Sequence, residues 1–141
     1  MLDSQRGAVV TLISTVLKTD GSTTTVSHDM SGFRAGLVMV NLSLEEGTDA
    51  RTPTVTLKEG DTTDATNLTT IGSSTVDLAT ARSVGIHFQP RKKLIVLDVT
   101  LGTGTGNDVS FGASLFKYRA TQEPENTSEM VGSTHDVCII R

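Results

Sequence analysis

No apolar stretch in this chain runs far before a turn signal stops it. AVVTLISTVL (8–17) ends at Lys18-Thr19-Asp20-Gly21, and AGLVMVNLSL (35–44) ends at Glu45-Glu46-Gly47-Thr48-Asp49. PTVTLKE (53–59) ends at Gly60-Asp61-Thr62-Thr63-Asp64. Short apolar runs bounded by Gly and Asp build strands, because a helix needs a longer uninterrupted stripe to bury one face.

The same punctuation runs through the chain. TTTVSH (23–28) is short and polar and reads as an edge strand. Ser31-Gly32-Phe33 reads as a corner. In AGLVMVNLSL both faces are apolar at the start, so this strand is expected at a sheet centre, covered on both sides. In PTVTLKE, Val55 and Leu57 point one way and Thr54, Thr56 and Lys58 the other. Residues 68–71 form a brief strand. SVGIHFQ (83–89) alternates Val84, Ile86 and Phe88 against Ser83, Gly85 and His87, which makes His87 an outward residue. LIVLDVTL (94–101) is the most apolar strand and is also expected to be central. The glycine-rich 102–108 reads as a hairpin connection into VSFGASLFKY (109–118), which places Val109, Phe111, Ala113 and Leu115 on one face. Two stretches have helical appeal by spacing: 8–17, where Thr11, Ser14 and Thr15 favour a strand, and VDLATAR (76–82), at most two turns. About eight strands without βαβ alternation describe a sandwich or a barrel.

Composition agrees. The chain has 141 residues, of which 23 Thr and 13 Ser make a quarter. Threonine suits the open face of a pleated sheet. There is no Trp, one Tyr and four Phe, so the core is built of Val, Leu and Ile with a modest margin of stability, which favours assembly. A net charge of −4 provides no basic footprint for nucleic acid and no polybasic patch for a membrane surface. The one basic cluster, Arg91-Lys92-Lys93, caps the entrance to a strand. The apolar runs are too short for a helix to cross a bilayer, and the beginning lacks a signal-peptide layout, so synthesis in the cytosol is expected.

The residues that carry chemistry are scattered. His28, His87 and His135 form no metal-ligand pair. The lone Cys138 excludes an internal disulfide and, between Val137 and Ile139, reads as a small hydrophobe. The acids in 45–49 and 61–64 offer hard oxygens, yet neither run has the spacing of an EF-hand loop, so they read as solvated turns. Gly102 to Gly106 lacks the Lys-Ser/Thr ending of a phosphate loop. The N-x-S/T sequons at Asn41, Asn67 and Asn126 are chance in a Thr-rich chain. The expectation is a binding domain without enzymatic activity, cofactor or metal.

The ordered set AVVTLIS (8–14), Met30-Ser-Gly-Phe33, AGLVMVNLSL, PTVTLKEGDTTDATNL (53–68), RKKLIVLDVT (91–100) and VSFGASLFKY resembles the capsid decoration, or cement, proteins of tailed bacteriophages. The resemblance covers residues 8–119 and lies in strand order and turn composition. It implies an antiparallel β-sandwich, jelly-roll-like, with an immunoglobulin-like arrangement as the alternative. It also implies a homotrimer on the outside of an icosahedral head, clamping the major capsid protein, with no nucleic-acid or membrane partner. The runner-up is a carbohydrate- or receptor-binding β-sandwich module, a class that usually displays aromatic platforms, for which Tyr118 is the only Tyr or Trp.

The organisation expected is an N-terminal arm (1–7), a sandwich (8–119) and a C-terminal arm (120–141), whose VCII end adds as a strand to this domain or a neighbour. The residues expected to meet a partner lie in the arms and loops. They are Leu2, Arg6, Glu45, Glu46, Arg51, Asp61, Asp64, Met130, Val137, Ile139 and Ile140.

Overall fold

The computed structural model describes residues 7–18, 22–44, 52–76, 82–102, 108–118 and 135–139. Its strands are β1 (Gly7–Lys18), β2 (Thr23–Asp29), β3 (Ala35–Leu44), β4 (Thr54–Gly60), β5 (Thr69–Thr75), β6 (Arg82–Phe88), β7 (Leu94–Thr100), β8 (Val109–Tyr118) and β9 (His135–Ile139). They form a five-stranded sheet in the order β1-β8-β3-β6-β9 and a four-stranded sheet in the order β2-β7-β4-β5. All pairs among β1 to β8 are antiparallel. The chain changes sheet at every step from β1 to β8 except from β4 to β5. That interleaved order is the jelly roll, an antiparallel sandwich of eight strands, and differs from the immunoglobulin order.

Alternation builds the core. Val38, Val40 and Leu42 of β3, Val84, Ile86 and Phe88 of β6, and Phe111, Ala113 and Leu115 of β8 face Val55, Leu57, Ile95, Leu97 and Val99 of the second sheet. Each large side chain buried there contributes roughly 1.5–3 kcal/mol. Within the five-stranded sheet the Phe88 ring lies over Gly36, its partner across the strand, where an added Cβ would come within 2.7 Å of it.

The corner at Ser31-Gly32-Phe33 is real. The Phe33 N–H donates to the Met30 carbonyl at 3.0 Å, and Gly32 sits at φ +84°, as the third position of a type II turn requires. Asp64 starts a single 3-10 turn, Ala65–Asn67, by accepting from the Thr66 N–H.

β2 is an edge strand, and β3 and β7 are central, as their patterns predict. Four expectations need correction. The 102–108 segment joins β7 of one sheet to β8 of the other and so is not a hairpin. β5 extends to Thr75, because pairing with β4 recruits Ser73, Ser74 and Thr75, which carry no apolar signal. Arg82 opens β6, while 77–81 lies outside the described residues. His87 does point away from Ile86 and Phe88, yet it is only 1% exposed. Its strand is flanked on both sides, by β3 and β9, so its outward residues sit in mid-sheet.

Candidate binding surface

The two sheets turn chemically different outer faces away from the core. On the five-stranded sheet, register places Val9 opposite Phe116, Phe116 opposite Leu37, and Leu37 opposite His87, in one row across four strands. The row passes from open to closed. Val9 is 68% exposed and Phe116 36%, whereas Leu37 is 6% exposed. Leu17 lies on the same strand as Val9 and is 55% exposed. These three are the large hydrophobics exposed among the described residues, and all lie on β1 or directly beside it. Between Gly7 and Leu17 this strand carries no charge and no proline. Among the described strands none lies beside its outer edge. The protection it does carry is irregularity, since its register against β8 shifts twice between Thr11 and Val16.

The four-stranded sheet presents hydroxyls instead. Register lines up Thr23, Thr100, Thr54 and Thr75 in one row, and Thr25, Asp98, Thr56 and Ser73 in the next. Thr23 and Thr100 hydroxyls lie 3.1 Å apart, as do those of Thr54 and Thr75 and of Thr56 and Ser73. Thr25 donates to Asp98 at 2.6 Å, and Lys58 reaches the other Asp98 oxygen at 2.8 Å. Such a face is satisfied within itself and in water.

One end of the sandwich is charged. The Arg91 N–H donates to Glu59 Oε2 at 2.7 Å, Lys92 lies 3.5 Å from Asp61, and Lys93 lies 3.9 Å from Asp29. The basic cluster thus ties the β6–β7 turn to acids of neighbouring strands and turns, in addition to preceding β7. Asp64 accepts from the Thr66 N–H and hydroxyl, both at 3.0 Å, and these bonds hold its carboxyl below the ordinary range. The Ser31 hydroxyl and N–H do the same for Asp29. Among the described residues no group of three His, Cys, Asp or Glu could hold a metal ion.

At this end His28 is half-buried, with its Nε2 shut off from water and without a hydrogen-bond partner. Burial and then the Lys117 ammonium lower its pKa, against the pull of Asp29. That ammonium lies 4.1 Å from the centre of the Phe33 ring, a cation–π contact. Burial raises the Tyr118 phenol.

Of the expected partner residues, Asp61 and Asp64 lie exposed in the β4–β5 turn, and Val137 and Ile139 lie on β9. Leu2, Arg6, Glu45, Glu46, Arg51, Met130 and Ile140 lie outside the described residues. The acids and β9 are not brought to the Val9–Phe116 patch. Sequence reasoning missed Val9, Leu17 and Phe116. The signal was present: the alternation that sends Phe111 and Leu115 inward sends Phe116 outward.

No family model matches the chain, and no curated protein is similar to it in sequence. Solved structures are similar in fold. The infectious bursal disease virus VP2 subviral particle matches at 12% identity over 82% of this chain and 33% of that one, with a TM-score of 0.52. A structure described as "CBM4 structure and function" matches at 13% identity over 67% and 60%, with a TM-score of 0.52. The C-terminal family 22 carbohydrate-binding module of Clostridium thermocellum Xyn10B matches at 12% over 84% and 87%, with a TM-score of 0.51. The chain spans a third of the VP2 chain and 60% of the CBM4 chain. These likenesses establish an all-β sandwich shared by a viral capsid protein and by carbohydrate-binding modules.

Proposed function

We propose that this chain is a structural protein of a phage virion, a non-enzymatic decoration or cement protein. In this reading it is made in the host cytoplasm, binds the outer surface of an icosahedral head, and stabilises contacts between major capsid subunits as a homotrimer. The observation that carries the reading is the exposed apolar pair of Val9 and Phe116, with Leu17 exposed farther along the same edge strand of the five-stranded sheet. Such a patch on an edge strand is a liability in a free monomer and an asset in an assembly. The resemblance in strand order to decoration proteins and the fold shared with VP2 support the same side. Repetition over a symmetric lattice lets a small patch act through avidity, without any catalytic group.

Co-sedimentation with empty heads tests it. The chain should pellet with heads, and Val9→Ser combined with Phe116→Ser should weaken that binding at least about 10-fold, as loss of a central apolar anchor does. A chain that ignores heads and binds an oligosaccharide would replace this reading with the carbohydrate-binding one.

A further inference from the structure

We propose that the edge of β6 is a strand-acceptor site and that β9 is exchanged between copies, each chain completing the five-stranded sheet of a neighbour. The proposal rests on the self-association in the reading above and is independent of what the assembly sits on.

Strands β1 to β8 already make a whole jelly roll. Without β9, β6 would be its outer strand, with one side of its backbone unpaired. Yet β6 is composed like an interior strand. Its sequence RSVGIHF has no proline, no charge after its first residue, and a glycine at its centre. Residues Ser83 to Phe88 are buried on both faces of the sheet. An edge strand lacking such guards needs a partner.

β9 is that partner. It pairs in parallel with β6 from Ser83↔His135 to His87↔Ile139, the one parallel pair among the described strands. Parallel neighbours cannot be joined by a hairpin and need a long connection. β8 runs antiparallel to β3, and β3 antiparallel to β6, so β8 and β9 point the same way. Tyr118 therefore leaves the sheet at the Phe88 end, and His135 enters at the Ser83 end.

Residues 119–134 separate them. A chain of that length spans up to roughly 55 Å, whereas the two ends are separated along the sheet by about 20 Å. That length exceeds what closure onto its own β6 requires and leaves a neighbour's β6 within range. The same backbone bonds form either way, so proximity decides, and a symmetric assembly holds the neighbouring edge close at all times.

Two single-cysteine variants test this in purified protein without heads. One carries S83C and C138S, the other H135C and C138S, and one of the two bears a tag that changes its mass. Register puts the new thiols on adjacent strands, within disulfide reach. In either chain alone they can never meet. Refolded together and oxidised, the pair should give a covalent heterodimer, and the S83C/H135C/C138S variant should give covalent oligomers on a non-reducing gel.

Quantitative linkage of the double-cysteine variant within single chains, with no heterodimer from the mixture, would overturn exchange. Failure of any link would remove β9 from β6 and overturn it as well. Size measurement separates the two readings. A trimer linked only within its own chains sinks exchange and leaves the head-binding proposal standing, whereas a monomer sinks exchange together with self-association.

Discussion

The outer faces of the two sheets share a geometry and differ in what they do with it. On the four-stranded sheet, threonine meets threonine across every pair of strands, and Asp98 is held by Thr25 and Lys58. On the five-stranded sheet, the matching row is Val9, Phe116, Leu37 and His87, closed at β3 and β6 and open at β1. β-branched residues suit both faces of a sheet equally. Only the partner across the strand decides whether the face is finished or unfinished. The hydroxyl face is finished, and the apolar one ends in an open patch.

The largest break in this contrast should come at Leu37. An aspartate there would bury a carboxylate between Phe116 and His87, at a cost of about 3 kcal/mol or more. Aspartate in place of the exposed Thr75 should change stability by no more than about 0.5 kcal/mol. Urea unfolding of Leu37→Asp and Thr75→Asp compares the faces directly, and equal costs would erase the distinction.

Asp98 comes next. Its side chain is 17% exposed and serves a hydroxyl and an ammonium at once, so Asp98→Ala should cost about 1 kcal/mol. Lys58→Ala should cost less, and the double variant should cost less than the sum, as expected for groups acting as a pair.

The smallest effect is the pH response of His28. Its folded pKa is lowered, so between that value and the ordinary 6.5 the unfolded chain binds a proton that the folded chain resists. Stability is therefore full above pH 6.5 and falls as the pH drops through that region. The lowered carboxyls of Asp29 and Asp64 act in the same direction, but only in the acid range near and below 3.8. Melting temperatures between pH 7.5 and 5.5 should decline in the parent chain and flatten in His28→Gln. An unchanged slope in the variant would show that another group titrates there.

Much of the fold was legible before any coordinates. β3 and β7 announced themselves as central because their apolar residues occupy both faces, and β2 as an edge because its residues are polar. Three features escaped for one physical reason, which is that pairing partners in a jelly roll are distant in sequence. A glycine-rich turn has the same composition whether it closes a hairpin or crosses between sheets, so 102–108 was misread. Ser73 and Thr75 become strand only because β4 bonds them. His87 alternates outward, and only its place in mid-sheet makes it buried. The candidate surface escaped in the same way. Phe116 was visibly outward by alternation, but an outward aromatic becomes a patch only once Val9 stands opposite it.

Hydroxyl-radical footprinting of the chain, free and bound to empty heads, addresses the central claim most directly. Binding through the unfinished face should protect Val9, Leu17 and Phe116 and leave the threonine rows of the four-stranded sheet unchanged. Protection of Thr23, Thr54 and Thr75 with Val9 and Phe116 still reactive would contradict the account.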